Sequence, residues 1–468
     1  MPQPRLDAIS ISMKPLLLAC GSNGSGQLAL DHTEDVHTLQ PCAFHPSLEA
    51  LIRDAKVIDL VSASTHSLLL LKTPGGDPRC TNILLGAGTN SLGQLGPRCA
   101  LWGGVKPETK FKPVDLLGPL DLSRDDWEPV RIASTWTTSF VVYQKVSQGV
   151  VGGSSSAAVS AEEQNVEQMV LASGSNDFGE LGLPRATEHG VPISRPSAKP
   201  SIEDLGLRDG EWVEMIKGGQ RHVIAVICSG SGEGRKQRVV GWGAARRGEL
   251  DVSILAGEGP VQAGKGKGKG KGKSTARLST LAPTELNLPI PTGAYITDVA
   301  VGASHTLVLL SNGDVFAWGS DAKGQITGLG ELGGVRGITA TWNGSYLLKD
   351  EALWSQGSDN RSQLLRRTHG NPTLGQVEIP DRWTAEKIVA GSEDVIVVAS
   401  KEGEQDLWVG GWNEHGNLGL GDQLDRGELT RININHVATA AGLTGQVQIR
   451  GIWAGCAATW VCLDSSPS

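Results

Sequence analysis

The chain has 468 residues and a formal net charge of −8, with 62 glycines and 13 tryptophans but only 5 phenylalanines and 3 tyrosines. This acidic balance excludes a chain built as a whole to bind phosphate backbones, because such binding depends on Lys and Arg. We find no run of about 18 apolar residues and no leader pattern. We therefore expect a soluble cytoplasmic protein, with the nucleus also open to it, no membrane partner and no direct nucleic-acid contact.

The seven cysteines form no Cys-x-x-Cys pair, and several of them lie in apolar strand contexts. Reduced, buried thiols are the expected state. Neither the cysteines nor the histidines show the spacing of zinc ligands. We predict no metal site and no cofactor.

A glycine-rich nonapeptide recurs along the chain, and its clearest copy is residues 88–96, which follow an apolar run. This pattern indicates that a strand ends, the chain reverses through positions that favour positive φ, and a Leu returns to the core. One copy is eroded, because Ser362 replaces its second glycine. The seven copies begin at Gly21, Gly88, Gly174, Gly243, Gly319, Gly357 and Gly411.

A second motif alternates with the nonapeptide: a turn of small residues that leads into an apolar strand, as in residues 63–70 and 302–309. It also occurs seven times. Internal repetition at this period is typical of a propeller, since one repeat cannot bury its apolar face alone. We predict an all-β, seven-bladed β-propeller.

The ends of the chain supply the two halves of one blade. The apolar run 16–20 precedes the first nonapeptide without an earlier blade, and 447–463 has no nonapeptide after it. We predict that the N-terminal strand joins the C-terminal blade and closes the ring, which removes two exposed sheet edges.

A single domain is expected for residues 15–464, after a disordered lead-in at 1–14. Composition indicates flexible insertions near 147–168, 184–205, 230–238 and 255–280. The last contains a Gly-Lys alternation at 264–273, which we interpret as a solvated linker, with contact to RNA or to an acidic partner as alternatives. The interval between Gly319 and Gly357 is unusually short.

No residue pattern indicates catalysis, so we predict a protein that is not an enzyme. The repeated glycines lie between strands and lack the following helix that would hold a pyrophosphate. His66, His222 and His305 occupy corresponding turn positions. We expect them to form hydrogen bonds within their own blades.

Tryptophans in turns are the strongest candidates for binding. Trp136 and Trp342 replace small residues of the turn motif, and Trp412 replaces Ser or Thr in a nonapeptide. Because Trp and Arg are frequent binding hot spots, we predict a protein-binding face. Packing between neighbouring blades around the central channel is an equal alternative for each residue. Arg246 and Arg247 would steer a partner electrostatically, whereas three other tryptophans are expected to be structural: Trp242, Trp318 and Trp354.

The alternating motifs resemble the repeats of the regulator of chromosome condensation family, whose fold is a seven-bladed propeller. Within it, residues 411–417, 454–461, 246–251 and 136–138 resemble the fungal alpha-tubulin suppressor family, also known as killer-toxin-insensitivity proteins. The Gly-Lys tract is a departure from that pattern.

This resemblance implies a non-catalytic adaptor that forms a heterodimer with a small CSL-type zinc-finger protein of diphthamide biosynthesis. It also implies support for Elongator-dependent modification of the tRNA wobble uridine and for diphthamide synthesis, with Elongator as an indirect partner. The predicted partner-binding residues are Trp136, Trp342, Trp412, Glu414, His415, Arg246 and Arg247.

Two other functions compete with the adaptor. A propeller of this kind also fits a guanine-nucleotide exchange factor for a small Ran-type GTPase, since fold alone does not separate the two. A tryptophan-based light sensor would need a tight Trp cluster across a dimer interface, and the turn tryptophans are too few for it.

Overall fold

Seven antiparallel sheets stand side by side in a ring. This computed structural model describes residues 16–74, 82–96, 106–146, 166–182, 201–256, 280–366 and 373–466. The innermost strand of each sheet contacts the innermost strand of the next, and the last contacts the first. The predicted seven-bladed β-propeller is confirmed.

The first fourteen strands belong to blades 1 to 3 and to the outer half of blade 7. They are β1 (Leu16–Gly21), β2 (Val36–Pro41), β3 (Lys56–Ser62), β4 (His66–Lys72), β5 (Asn82–Gly88), β6 (Glu108–Pro113), β7 (Trp127–Ser134), β8 (Thr138–Lys145), β9 (Gln168–Gly174), β10 (Ser201–Glu203), β11 (Glu211–Gly218), β12 (His222–Ser229), β13 (Lys236–Ala244) and β14 (Thr280–Leu286).

The remaining strands form blades 4 to 6 and the inner half of blade 7. They are β15 (Ile296–Val301), β16 (His305–Leu310), β17 (Val315–Gly319), β18 (Val335–Ala340), β19 (Gly344–Lys349), β20 (Ala352–Gly357), β21 (Gly375–Val377), β22 (Thr384–Ala390), β23 (Asp394–Lys401), β24 (Glu404–Gly411), β25 (Arg426–Ile432), β26 (Gln446–Gly455) and β27 (Ala458–Ser466). In sequence order, β3–β6 form blade 1, β7–β10 blade 2, β11–β14 blade 3, β15–β17 blade 4, β18–β21 blade 5 and β22–β25 blade 6, while β26, β27, β1 and β2 form blade 7.

Helices are few and short in the part of the chain that the structure describes. The α-helices are α1 (Glu49–Ile52) and α2 (Ile434–Ala440). Short 3-10 helices cover Pro46–Leu48, Gly118–Leu120, Gly232–Gly234, Ser253–Ala256, Leu329–Glu331 and Pro380–Arg382. No helix in the described ranges has the length and apolar character needed to cross a membrane.

The two ends of the chain close the ring in blade 7. Its strand order is β2-β1-β27-β26, so strands from both termini share one sheet. β1 pairs with β27 along its whole length, from Leu16 opposite Leu463 to Gly21 opposite Ala458. The predicted closure is confirmed.

Blade 4 has three strands, β15-β16-β17, whereas the other six have four. After Gly319 the chain reaches Val335 without a fourth strand, which explains the short interval before Gly357. Leu329 from this connection is fully buried and packs with Val315. A single side chain therefore replaces part of the packing that an outer strand supplies elsewhere.

The predicted lead-in at 1–14 lies outside the described residues, as does most of the insertions near 147–168, 184–205 and 255–280. Strands extend into some of these ranges. Ser201–Glu203 pairs with β9, and Lys236 begins β13 inside the range 230–238.

The nonapeptides share one hydrogen-bond pattern, here numbered from the first glycine. In six copies the position 3 side chain accepts a hydrogen bond from the position 8 backbone N–H, as in Asn90 Oδ1 and Leu95 N at 2.7 Å. In six copies the position 7 side chain accepts from the position 5 N–H, as in Gln94 Oε1 and Leu92 N at 2.9 Å. These hydrogen bonds pair backbone N–H groups of the turn with side chains of the same turn, which makes the turn rigid.

The backbone conformation at position 6 leads to a prediction about stability. Ser362 adopts a φ of 59° there, whereas the other copies place a glycine with positive φ, such as Gly324 at 74°. A residue with a Cβ is strained in this conformation. We expect Ser362→Gly to raise the free energy of unfolding by about 0.5–1 kcal/mol. The backbone strain that it relieves in the folded state should exceed the conformational entropy that a glycine adds to the unfolded chain.

Chemical denaturation of both proteins measures this change. Gly324→Ser is the reciprocal variant and should be destabilising. A Ser362→Gly protein no more stable than the wild type would contradict the assignment of strain to this position.

Candidate functional site

All seven predicted partner-binding residues lie at one end of the ring. In each blade the inner strand ends where the turn motif begins, and the third strand, antiparallel to the second, ends at the nonapeptide. Turns and nonapeptides therefore share one end, which we call the turn face. The opposite end, with the hairpins between second and third strands, is the hairpin face.

Trp136 and Trp342 are fixed by their own backbones. Trp136 N–H donates to Gln220 O at 3.1 Å, and Ser64 Oγ donates to Trp136 O at 3.0 Å. Trp342 N–H donates to Ser392 O at 2.8 Å. Each bond joins the turn of one blade to that of the next, so both tryptophans belong to a hydrogen-bonded ring of turns around the channel mouth.

The structure brings these two tryptophans together. Their rings are stacked, with centroids 5.4 Å apart and planes at 26°. Trp136 keeps 36% of its surface exposed, and Trp342 is partly exposed. Because the rings come from blades 2 and 5, which are not neighbours, the stack reaches across the channel mouth. The two tryptophans therefore form an exposed aromatic pair in a fixed position, and binding of a partner to them stays a prediction.

Below the stack, the channel encloses a cavity of about 410 Å³ lined by the inner strands. Asp59, Asp298, Lys217 and Lys387 line it together. Burial raises the pKa of both aspartates and lowers the pKa of Lys387, while the opposite charges across the channel counteract each shift. Trp453 Nε1 donates to Asp59 Oδ1 at 3.0 Å. The channel interior is polar and electrically balanced.

A second group forms around Trp412 on blade 6. Its Nε1 donates to Glu414 Oε2 at 3.2 Å, and its ring meets His415 edge to face at 5.4 Å. The guanidinium of Arg361, from blade 5, lies 5.6 Å from the Trp412 ring centroid. His415 Nδ1 lies 2.7 Å from Asp35 Oδ2 of blade 7. Three blades are therefore linked along the rim of the turn face.

Arg246 and Arg247 stand apart from both groups. They are exposed at positions 4 and 5 of the blade 3 nonapeptide, where Arg247 N–H donates to Glu249 Oε2 at 2.6 Å. The predicted site is therefore one face with three separate groups rather than one cluster.

The sequence missed Leu424, which is the most exposed large apolar side chain among the described residues of this face and keeps 66% of its surface exposed. Its loop is ordered by Asp422 Oδ1, which accepts from Leu424 N–H at 2.9 Å, and by Arg426, which donates to Leu424 O at 2.6 Å. An isolated Leu within a charged loop was the available signal.

The three turn histidines are structural, but the predicted bonds within their own blades are wrong. His66 Nε2 lies 2.9 Å from Ser139 Oγ of the next blade, and His222 and His305 make corresponding contacts with blades 4 and 5. Burial lowers the pKa of His66 and His222 to about 3 and that of His305 to about 4. They stay neutral and join blades.

Of the three tryptophans predicted to be structural, two are fully buried and Trp354 is partly buried. Trp242 and Trp318 are fully buried and donate to carbonyls of the preceding nonapeptide, Glu180 O and Glu249 O, each at 2.9 Å. The five cysteines in the described part of the chain are free thiols. Across those same residues, no group of His, Cys, Asp or Glu is arranged to hold a metal ion.

Fold and repeats together define the class: the chain is an RCC1-like seven-bladed β-propeller. A profile of the Regulator of chromosome condensation (RCC1) repeat matches residues 296–325, which run from β15 into the nonapeptide of blade 4. The finer resemblance to the fungal alpha-tubulin suppressor family stays a prediction.

Among known proteins, the chain is similar to the Secretion-regulating guanine nucleotide exchange factor of Bos taurus. The two are 25% identical over 455 residues, which cover 87% of this chain and 76% of that protein. The chain is also 24% identical over 262 residues to the Ultraviolet-B receptor UVR8 of Arabidopsis thaliana, covering 55% of this chain and 40% of the receptor. It thus spans less than half of UVR8.

Two solved structures share the fold. One is human WBSCR16, with a TM-score of 0.62 and 16% identity over 96% of this chain and 99% of that chain. The other is described as Kap60 bound to yeast RCC1 (Prp20), with a TM-score of 0.63 and 18% identity over 100% of this chain and 95% of that chain. At these identities the likeness concerns architecture.

Glu180 occupies nonapeptide position 7, where the blade 3 copy also has a Glu, Glu249. Four other copies place Gln there: Gln27, Gln94, Gln325 and Gln363. Glu180 is 1% exposed, and burial raises its pKa from 4.5 to about 7. The folded protein keeps this proton up to about neutral pH, whereas the unfolded chain releases it near 4.5. Its contribution to stability is therefore lost as pH rises between these values.

We expect Glu180→Gln to be more stable than the wild type above pH 7 and equal to it below pH 4.5, because Gln never carries the buried charge. The difference should approach about 1.4 kcal/mol per unit of pKa shift. Denaturant unfolding of both proteins across this pH range measures it. Glu351→Gln, at an exposed hairpin, is the control, and a Glu180→Gln difference independent of pH would contradict the assignment.

Proposed function

We propose that the turn face is a protein-docking surface and that its partner is a small GTPase, from which it releases the bound guanine nucleotide. The observation that carries the docking role is the exposed Trp136–Trp342 stack, held by backbone bonds at the channel mouth. Similarity along most of the chain to a guanine nucleotide exchange factor supports the exchange role. It supports exchange better than it supports the adaptor role that the sequence favoured.

Rigid aromatic anchors suit such a surface. Two tryptophans already ordered by the turn ring lose little side-chain entropy when a partner covers them. Binding hot spots are enriched in Trp and cluster near the centre of an interface. The stack lies at the centre of the turn face, whereas the Trp412 group and the arginine pair lie toward its rim.

Nucleotide exchange needs no acid, base or covalent intermediate on the propeller. A protein that binds the nucleotide-free GTPase more tightly than the nucleotide-bound form must weaken nucleotide affinity by the same factor, since the coupling is reciprocal. A rigid docking face can supply such differential binding. The absence of a recognisable catalytic pattern in the sequence is compatible with this role.

The test is release of labelled GDP from a Ran-type GTPase in the presence of the purified chain. We expect acceleration by the wild type and loss of about 30-fold in exchange efficiency for Trp136→Ala, equivalent to about 2 kcal/mol at a Trp hot spot. Trp136→Phe should retain part of the activity because it keeps an aromatic face.

Tyr295→Ala is the matched control. Tyr295 is 43% exposed and lies on the hairpin face, at the start of β15. It should exchange nucleotide as the wild type does. Thermal unfolding must show all variants folded. A chain that leaves GDP release unchanged would refute exchange, and full activity of Trp136→Ala would refute the role of the stack.

The second candidate is the adaptor that binds a small CSL-type zinc-finger protein and supports tRNA wobble uridine modification and diphthamide synthesis. The observation that favours it is the Trp412–Glu414–His415 group, which lies in one of the stretches of the resemblance and is linked across blades 5 to 7. Purification of the chain from its native cells tests it. A CSL protein at one-to-one stoichiometry would favour the adaptor, and a GTPase released by added nucleotide would favour exchange.

A further inference from the structure

The outer edge of blade 4 differs from that of every other blade. Its sheet ends at β17 (Val315–Gly319), whereas in the other six blades a fourth strand pairs with the third. After β17 the chain continues through the 3-10 helix Leu329–Glu331 to β18 without adding a strand. Within the described part of the chain, β17 is therefore the outermost strand of its blade and pairs with another strand, β16, on one side only.

Comparison with blade 1 identifies the backbone groups of β17 that face outward. Four residues before the first nonapeptide glycine of blade 1, Leu84 O accepts a hydrogen bond from Val114 N–H, directly after the fourth strand, at 3.0 Å. Val315 is the equivalent residue in blade 4. Because alternate residues of a strand direct their backbone groups to the same side, Val315 and Ala317 both face the outer edge. Among the described residues, the N–H and C=O of Ala317 have no hydrogen-bond partner there.

Residue exposure shows which half of this edge is open. The residue two positions before the first nonapeptide glycine is buried in all six other blades, as Val409 is beside β25, and so is that glycine itself. In blade 4 the corresponding residues, Ala317 and Gly319, are both partly exposed. Leu329 packs with the buried Val315 and closes the half of the edge toward the hairpin face. The half toward the turn face is open.

Beside the open half lies an apolar side chain, Phe316, whose counterpart in blade 6 is covered by the fourth strand. There, Leu429 of β25 packs in the same buried cluster as Trp408, which corresponds to Phe316. Phe316 is partly exposed, and the cluster against which it packs also includes the partly exposed Val252 and Leu255. An added strand with an apolar residue in the place of Leu429 would cover Phe316.

We propose that the open half of β17 binds an extended segment of a protein partner, which pairs antiparallel with β17 as the fourth strand of blade 4. Backbone N–H and C=O groups with the spacing of a strand are complementary to another strand, so the occupant is a polypeptide. In the register of blade 6, one of its residues lies opposite Ala317 and the preceding residue is apolar and covers Phe316. The site lies on the outer wall of the ring and does not depend on the proposed role of the turn face.

The chain's own insertion near 255–280 is the alternative source of a strand. The 3-10 helix Ser253–Ala256, at its start, contacts β17. The Gly-Lys alternation at 264–273 has low strand propensity, because Gly is depleted in strands, and it offers no apolar residue to cover Phe316. The chemistry of the edge therefore favours a segment of another protein.

The test uses a labelled peptide with the sequence of β25, Arg426–Ile432, because β25 is the fourth strand of blade 6 and carries Leu429. In the native register Thr430 lies opposite Val409, which corresponds to Ala317. Binding of the peptide to the full chain is measured by fluorescence anisotropy. Two altered peptides are compared with it: Thr430→Pro removes the N–H that would bond to Ala317, and Leu429→Ser removes the apolar side chain.

Ala317→Pro removes the outward N–H from the protein, and Pro is tolerated on an edge strand where its N–H would face solvent. Ala317→Val keeps the N–H and is the matched control. We expect Ala317→Pro to weaken binding of the unaltered peptide about tenfold, and the Thr430→Pro peptide to bind the wild type about tenfold more weakly, because a carbonyl in the new ladder loses its donor. The Leu429→Ser peptide should also bind more weakly, and Ala317→Val should bind as the wild type does.

Thermal unfolding must show both protein variants folded; if Ala317→Pro unfolds, the altered peptides decide. Equal binding to Ala317→Pro and Ala317→Val, undiminished binding of the Thr430→Pro peptide, or no binding at millimolar peptide would each refute the proposal. Binding that appears only after deletion of residues 264–273 would assign the edge to the chain's own insertion. A wild-type dimer that Ala317→Pro converts to a monomer would assign it to a second copy, and either result would overturn the partner as occupant.

Discussion

The pairing of β1 with β27 is the constraint on which the rest of the molecule depends. No blade can bury both faces of its sheet alone, so each relies on its neighbours, and the ring is stable only when the last blade meets the first. Leu16 to Gly21 provide that link through a continuous antiparallel ladder. Closure fixes the position of every inner strand, and this brings the seven turn motifs around one channel mouth.

The sequence predicted the repeats well because each repeat is stabilised by local interactions. The Asn or Asp at position 3 and the Gln or Glu at position 7 accept hydrogen bonds from backbone N–H groups of their own nonapeptide. The spacing of these residues in the sequence therefore indicates the turn directly. Contacts between blades have no such spacing pattern in the sequence. His66 shows this, because its partner Ser139 belongs to a different repeat and is reached only after closure. The same limit explains why the sequence identified Trp136 and Trp342 singly but gave no sign of their stack.

The candidate site was predicted as a set of residues rather than as an arrangement. Its seven members were placed on one face, which follows from the antiparallel order of strands in every blade. Their grouping depends on distances around the ring, and the role of Arg361 emerged only from its position beside Trp412. Blade 4 shows the reverse case: the short interval before Gly357 was visible in the sequence, but the buried Leu329 that replaces packing of an outer strand was not.

Within each nonapeptide, structure and recognition are assigned to different positions. Positions 3, 6, 7 and 8 are restricted by hydrogen bonds, positive φ and burial, whereas the side chains at positions 4 and 5 are partly or fully exposed and differ from copy to copy. A ring of seven such tips can therefore change its charge pattern without any change in fold. The fold alone therefore does not define which partner is bound. This separation also means that the chemistry of positions 4 and 5, together with the central tryptophans, carries more information about the partner of this chain than its architecture does.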